Sequence, residues 1–121
     1  MPKLTDKQSS GNFGEDVACS HLTQHGYSII ARNFRTRLGE IDLIAQSEHY
    51  LVFVEVKLRK VSARVGGAES VTPAKQAKLR LAAEEYLQRH PVHLPCRFDV
   101  IAIETASGGQ VAAIQWIEHA F

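Results

Sequence analysis

The stretch GEIDLIAQSEHYLVFVEVKLRK, residues 39–60, has the pattern of two apolar strands joined by a short polar turn. Runs of Val, Ile, Leu and Phe that are bounded by turn residues are typical of buried strands. We expect the strands at 39–46 and 51–59. Three charged residues nevertheless fall inside these strands, namely Asp42, Glu55 and Lys57. Charges inside a buried hairpin limit both the fold and the chemistry that are open to this chain.

Strand geometry indicates which way these charges point. Side chains alternate between the two faces of a strand, so Glu55 and Lys57 are expected on the face of Phe53. The expected apolar face of the first strand consists of Ile41, Leu43 and Ala45. Asp42 then lies on the face of Glu55 if the apolar faces of the two strands match. A four-residue loop would set Asp42 directly opposite Glu55, whereas a two-residue turn would set it opposite Phe53 and diagonal to Glu55.

Two carboxylates that face each other on an apolar ladder are destabilising unless positive charge lies between them. The candidates for that charge are Lys57 and a divalent cation. Carboxylate oxygens suit Mg²⁺ or Mn²⁺, with waters and a substrate phosphate completing the coordination. Lys57 would then orient or deprotonate a metal-activated water. The alternative is a structural ion pair of Lys57 with Glu55 or Asp42.

Two further acids need separate interpretations. Glu15 lies at the edge of the apolar arc of a helix predicted at 12–25, from which it could reach the sheet as a further metal ligand. Asn12 and Glu15 also have the spacing of a capping box, so both interpretations stay open. Asp99 is interpreted as a strand-end carboxylate that is bound by Arg97 or by backbone, not as a ligand.

The rest of the chain supplies a second helix and further strands. Beyond the hairpin we expect strands at 27–31, 97–104 and 111–121. A basic turn is expected at 32–39. Thr72 and Pro73 are favourable first residues for a helix that runs to about Arg89. The order α-β-β-β-α-β-β predicts an α/β fold, with a central mixed β-sheet flanked by helices.

Length and composition limit the class of protein. The 121 residues allow a single domain, residues 1–121, of which residues 1–11 are expected to be flexible. No apolar run approaches the roughly 18 residues of a membrane span, and the N-terminus lacks an apolar signal segment. We therefore expect a cytoplasmic protein without membrane contact. Cys19 and Cys96 are too few for a disulfide framework or a zinc site, and are expected to be reduced thiols.

Basic residues are grouped along the chain although the net charge is only +1. Such a small net charge argues against a protein that coats nucleic acid by bulk electrostatics. For each group taken alone, a solvated surface is the favoured interpretation. In a nuclease these groups would follow the phosphate backbone. The residues expected in that role are Arg35, Arg37, Arg59, Arg64 and Lys75.

Four features occur together: Glu15, GEIDLI at 39–44, FVEVKLR at 53–59 and RFDV at 97–100. In these features the chain resembles the YraN family of small bacterial proteins over nearly its whole length. That family is similar to restriction-endonuclease-like nucleases and to archaeal Holliday junction resolvases. The resemblance implies a restriction-endonuclease-like fold, with Asp42 and Glu55 as metal-binding acids, Lys57 as the catalytic lysine and Glu15 as the acid of the first helix. Ile41 stands where that superfamily has proline.

Two hypotheses follow. The leading one is a nuclease that uses Mg²⁺ or Mn²⁺ to hydrolyse DNA phosphodiester bonds, with branched or damaged DNA among its substrates. The alternative is a non-catalytic module that binds nucleic acid or a protein on the same fold. A homodimer is compatible with both, because branched junctions have a two-fold symmetry that a symmetric pair would match. Only the first hypothesis predicts stabilisation by Mn²⁺.

Overall fold

The computed structural model describes residues 6–61 and 71–121, with side chains from Asn12 onward. The elements follow the predicted order α-β-β-β-α-β-β. Their bounds are α1 Asp6–Gln24, β1 Ser28–Arg35, β2 Glu40–Gln46, β3 Leu51–Lys60, α2 Pro73–Arg89, β4 Cys96–Thr105 and β5 Val111–Ile117. Among these residues no helix has the length and apolarity that crossing a membrane requires.

The strands form one five-stranded sheet whose spatial order is the chain order, β1-β2-β3-β4-β5. Neighbouring strands are antiparallel except β3 and β4, which are parallel. A parallel pair needs a crossover connection, and α2 lies in that connection. This is the mixed sheet flanked by helices that the sequence predicts, and it is consistent with a nuclease-like fold.

The core has two parts, one on each face of the sheet. On the α1 side the buried residues are Ala18, Leu22, Leu43, Ala45, Val52, Val54, Ile101 and Ile103. On the α2 side they are Ile41, Ile44, Leu51, Phe53, Val71, Leu79, Ala82, Ala83, Tyr86 and Val100. Because Glu55 and Lys57 continue the alternation of Leu51 and Phe53 along β3, they lie on the α2 side.

Helix α1 begins at Asp6, six residues before its predicted start at Asn12. The added turns are polar and carry no apolar period, so the sequence pattern could not reveal them. Asn12 lies inside the helix and is not its N-cap, which excludes the capping-box interpretation of Glu15. Gly26 ends the helix as predicted, with a left-handed φ of 88° that glycine adopts without strain.

Two predicted strand boundaries were wrong. The strand predicted at 27–31 continues to Arg35, so the first half of the predicted basic turn is paired with β2. The last strand ends at Ile117, and the four residues after it fold back on the sheet. There the Ala120 N–H donates to the Phe98 carbonyl at 2.8 Å, and the ring of Phe121 stacks on that of Phe98. Backbone hydrogen bonding and ring stacking on β4 together hold the chain end.

Candidate active site

Asp42 and Glu55 belong to adjacent antiparallel strands. Leu43 is paired with Val54, and continuing that register by one residue places Asp42 opposite Glu55. This is the arrangement expected for the four-residue loop, the first of the two predicted alternatives. Oδ2 of Asp42 accepts the backbone N–H of Val56 at 2.8 Å. The carboxylate of β2 is therefore fixed directly against β3.

The alternation of β2 is interrupted at Asp42. Ile41 and Ile44 pack together on the α2 side, whereas Leu43 packs on the α1 side. The prediction that Ile41, Leu43 and Ala45 share one face was therefore wrong for Ile41. In β1 the residue across from Asp42 is Asn33, which has a left-handed φ of 54°. This irregularity, which strict period-two reasoning cannot anticipate, interrupts the alternation of β2 next to Asp42.

The environment of Asp42 favours its protonated form. Burial raises the pKa of Asp42 to about 7, and the charge of Glu55 acts in the same direction. The hydrogen bond from Val56 opposes this shift, whereas Glu15 and Glu40 add to it. A cation beside Asp42 would favour its ionised form against the effects of burial and of Glu55. The acid pair therefore has the electrostatics of a cation site.

Two lysines approach the same oxygen of Glu55, a residue that is only 6% exposed. Nζ of Lys75 lies 2.5 Å from Oε1, and Nζ of Lys57 lies 3.9 Å from it. Lys75 belongs to the first turn of α2, where Oγ1 of Thr72 caps the helix by accepting the Lys75 N–H at 3.2 Å. We refer to Asp42, Glu55, Lys57 and Lys75 as the acid–lysine site.

Lys75 was expected only as a phosphate contact, so sequence reasoning missed its position beside Glu55. The available signal was topological. In a β-α-β crossover, the helix starts near the end of the strand that precedes it. The helix start at Thr72 and Pro73, both recognised in the sequence, places the first turn of α2 over the end of β3.

The two lysines differ in their proton affinity. Burial lowers the pKa of Lys57, and the charge of Lys75 lowers it further, although Glu55 acts against both. Burial also acts against the charged form of Lys75, but the hydrogen bond and charge of Glu55 outweigh it and raise the pKa of Lys75. Lys57 is therefore the lysine that releases its proton more readily, as a general base must. Lys75 stays charged.

Glu15 is buried, and β1 holds its carboxylate. Oε1 accepts hydrogen bonds from Nδ2 of Asn33 at 3.0 Å and from Nη2 of Arg32 at 3.4 Å. Within residues 6–61 and 71–121, no three His, Cys, Asp or Glu side chains form a group ready to hold a metal. Glu15 contributes charge to Asp42, and its role as a metal ligand stays a prediction. Asn33, which orients Glu15 and faces Asp42, was missed because an isolated asparagine carries no pattern.

The residues expected to contact phosphate have different surroundings. Arg35 pairs with Glu40 at 2.9 Å, and Arg59 pairs with Glu104 at 3.1 Å. Arg37 is exposed. Arg64 lies outside the described residues. Their binding of nucleic acid stays a prediction.

A close backbone contact joins the β1–β2 turn to α2. A Cβ on Gly39 would lie 2.6 Å from the carbonyl oxygen of Lys78, so only glycine fits there. The turn itself is held by Thr36, whose N–H donates to the Gly39 carbonyl at 2.8 Å. The contact brings the turn that carries Arg37 against the segment of α2 that carries Lys75 and Lys78. Two basic groups that are separate in sequence thus become neighbours.

Asp99 has a structural role, as interpreted from the sequence. It is fully buried, and Arg97 donates from Nε and Nη2 to its two oxygens, each at 2.8 Å. Nε1 of Trp116 donates to Oδ2 at 2.8 Å, and the His119 N–H donates to Oδ1 at 3.2 Å. A carboxylate with four such donors is satisfied as a structural group.

Comparison with known proteins gives a consistent match. The model of the Uncharacterised protein family UPF0102 matches residues 14–103, a segment that contains the whole acid–lysine site. A UPF0102 protein of Alcanivorax borkumensis is 46% identical and covers 100% of this chain and 98% of its own length. A UPF0102 protein of Dichelobacter nodosus is 48% identical, over 84% of this chain and 80% of its own. A UPF0102 protein of Pseudomonas aeruginosa is 37% identical, over 98% of each.

Proposed function

This chain belongs to the UPF0102 (YraN) family, and from that premise we propose that it is a metal-dependent nuclease that hydrolyses DNA phosphodiester bonds. The observation that carries the proposal is that Asp42, one residue beyond the Leu43–Val54 pair and bonded to the Val56 N–H, lies beside Glu55. Lys57 lies next to Glu55 on the same strand. Buried ion pairs stabilise folds poorly compared with packed hydrocarbon, so retention of these charges favours a chemical role. A cytoplasmic location and branched or damaged DNA as a substrate form part of this proposal.

The donor set fits Mg²⁺ or Mn²⁺. Asp42 and Glu55 offer only oxygen donors, which these hard cations prefer. The raised pKa of Asp42 also supports the fit, because an ionised Asp42 needs a further positive charge. Asp42 and Glu55 would hold the ion, with Glu15 as a further candidate ligand. When bound, such an ion supplies an activated water and neutralises charge that develops on a phosphoryl oxygen.

The protein side chains have distinct roles in this proposal. Lys57 would orient the attacking water or accept its proton, a role that its lowered pKa supports. The hydrogen bond from Val56 would keep Asp42 oriented toward Glu55. Pre-oriented groups of this kind avoid reorganisation during reaction.

The basic residues near the site support nucleic acid as the partner. The contact of Gly39 with α2 brings the turn that carries Arg37 against the helix that carries Lys75. Phosphate contacts position a substrate without reading its sequence. Arg35, Arg59 and Arg64 complete the proposed set of phosphate contacts. A homodimer would suit a two-fold symmetric junction.

Cleavage assays test the proposal. Wild type, Lys57→Ala and the control Lys60→Ala are incubated with Mg²⁺ or Mn²⁺ and labelled duplex, single-stranded, flapped and four-way DNA. Lys60 is an exposed residue of the same strand. We expect wild type and Lys60→Ala to cleave, and Lys57→Ala to lose at least about 100-fold in rate with an unchanged fold. Equal cleavage by Lys57→Ala would refute the role of Lys57.

A second candidate function is binding without catalysis. It is favoured by one observation, namely that Lys75 and Lys57 already balance the charge of Glu55. In that case none of the DNA forms is cleaved, and Mn²⁺ does not raise the melting temperature. Stabilisation by Mn²⁺ that disappears in Asp42→Asn would exclude this candidate.

A further inference from the structure

The shortest ion pair in the acid–lysine site joins Lys75 to Glu55, and it uses a carboxylate oxygen that would also bind the proposed metal ion. Nζ of Lys75 lies 2.5 Å from Oε1 of Glu55, closer than Lys57, whose Nζ lies 3.9 Å away. A divalent cation binds carboxylate oxygens at about 2.0–2.6 Å. An ammonium group and a divalent cation at these distances from one oxygen would repel each other strongly.

We infer that Lys75 is a counter-ion of Glu55 that competes with the divalent cation, and that cation binding releases Lys75 to a phosphate of the nucleic acid. This inference rests on the proposed function. It assigns the two lysines different tasks: Lys57 acts on the attacking water, and Lys75 exchanges one negative partner for another.

Exposure and attachment favour Lys75 as the lysine that moves. Its side chain is 44% exposed, against 22% for Lys57. It projects from the first turn of a helix whose backbone is fixed by the Thr72 cap. Only the flexible side chain needs to swing, and it does so on the surface next to the β1–β2 turn with Arg37. A phosphate held there would meet Lys75 at the rim of the site.

The exchange couples two ligands. If the cation frees Lys75 for phosphate, the cation raises the affinity for nucleic acid by some factor. Bound nucleic acid must then raise the affinity for the cation by the same factor. The site would hold its cation weakly in the free protein and more tightly when substrate is present. Without substrate, the ion pair keeps the buried charge of Glu55 compensated.

The first test measures Mn²⁺ affinity by titration calorimetry at constant pH. Lys75→Met removes the competing charge, and Lys78→Met is the matched control from an exposed position of the same helix. We expect Lys75→Met to bind Mn²⁺ about tenfold more tightly than wild type, the effect of one lost charge-assisted contact. Lys78→Met should match wild type. Unchanged affinity in Lys75→Met would overturn the inference.

Lys75→Met leaves Glu55 without its closest cation and can impair folding, so Lys75→Gln is the second variant. Glutamine keeps a hydrogen-bond donor for Glu55 without the competing charge. We expect it also to bind Mn²⁺ more tightly than wild type, with native circular dichroism. If a folded Lys75→Gln binds Mn²⁺ no more tightly than wild type, the competition does not exist.

The second test measures phosphate contacts by the salt dependence of DNA binding, in a Lys57→Ala background that prevents cleavage. Each phosphate contact on duplex DNA changes the slope of log K against log salt by about −0.9. The salt slope is measured with and without Mn²⁺ for the protein that retains Lys75 and for the Lys75→Met variant. We expect Mn²⁺ to steepen the slope more when Lys75 is present, by an amount that corresponds to about one phosphate contact. An equal change would overturn the release of Lys75 while leaving the proposed nuclease intact. Absence of Mn²⁺ binding in every variant would overturn both.

Discussion

Asp42 and Val56 are joined by a hydrogen bond of 2.8 Å, in which a side-chain oxygen of β2 takes the backbone N–H of β3. At this point a side-chain hydrogen bond replaces the backbone hydrogen bonds that pair β2 with β3. The acceptor is the carboxylate that faces Glu55, and Val56 lies between Glu55 and Lys57 in the chain. The bond therefore ties the position of Asp42 to the strand that carries both other members of the proposed catalytic set.

Asp42→Asn should stabilise the metal-free protein at alkaline pH. The pKa of Asp42 is about 7 in the folded protein against an ordinary value of 3.8, so between these values the folded state binds more protons than the unfolded state. The contribution of Asp42 to the free energy of unfolding is therefore fully present below about pH 4 and is lost as the pH rises through 7. Asparagine keeps an acceptor for Val56 without the charge. We expect a gain of up to about 4 kcal/mol at pH 8, because each unit of pKa difference corresponds to about 1.4 kcal/mol.

Thermal unfolding of wild type and Asp42→Asn at several pH values checks this expectation. The difference should shrink to zero near pH 4. A constant difference across this range would show that Asp42 does not titrate as described.

Substitutions at Asn33 separate backbone strain from hydrogen bonding. Asn33→Gly keeps the left-handed φ accessible and removes the donor to Glu15, whereas Asn33→Ala removes the donor and strains the backbone. The left-handed region costs a residue with a Cβ about 1–2 kcal/mol. In urea unfolding we expect Asn33→Ala to be less stable than Asn33→Gly by about 1 kcal/mol. The reverse order would contradict a local requirement for this backbone conformation.

Gly39→Ala should be clearly destabilising, because the added methyl group would collide with the Lys78 carbonyl oxygen in the backbone of α2. Overpacking of this kind typically costs about 1–3 kcal/mol. Gly108→Ala is the control, since the nearest heavy atom to its Cβ would lie at 4.0 Å. The free energy of unfolding is measured for both variants. A similar loss in the two would disprove the tight contact between the β1–β2 turn and α2.

Asp99→Asn should reduce stability without changing metal affinity. It leaves the buried guanidinium of Arg97 without its charged partner, which typically costs about 3 kcal/mol. Glu118→Gln is the control, because Glu118 contacts Arg97 at 3.4 Å from an exposed position and should contribute less than about 1 kcal/mol. Mn²⁺ affinity should be unchanged in both. A large loss of Mn²⁺ binding in Asp99→Asn would place Asp99 in the site.

The sequence predicts the element order and the hairpin because their signals are strong. The apolar runs of β2 and β3 and the Thr72–Pro73 start of α2 each have a clear local pattern. The same patterns predict that Asp42 lies on the face of Glu55, either opposite it or diagonal to it. The start of α1 was missed because its first turns are polar. The end of β1 was missed because the basic residues and Asn33 interrupt the apolar run.

Two features of the site could not be predicted from local patterns. The phase change at Asp42 accompanies the left-handed conformation of Asn33, which no period reveals. The position of Lys75 depends on how a helix crosses over the sheet, which is a tertiary property. Pattern reasoning therefore identifies the acids on their strands but not the residues from neighbouring elements that control them.

The proposed metal site is tested by locating manganese in crystals grown with Mn²⁺, by its anomalous scattering. We expect one strong peak within about 2.5 Å of an oxygen of both Asp42 and Glu55, with Nζ of Lys75 moved away from Oε1. Manganese bound elsewhere, or an empty acid pair that keeps the Lys75–Glu55 contact at millimolar Mn²⁺, would contradict the proposed site.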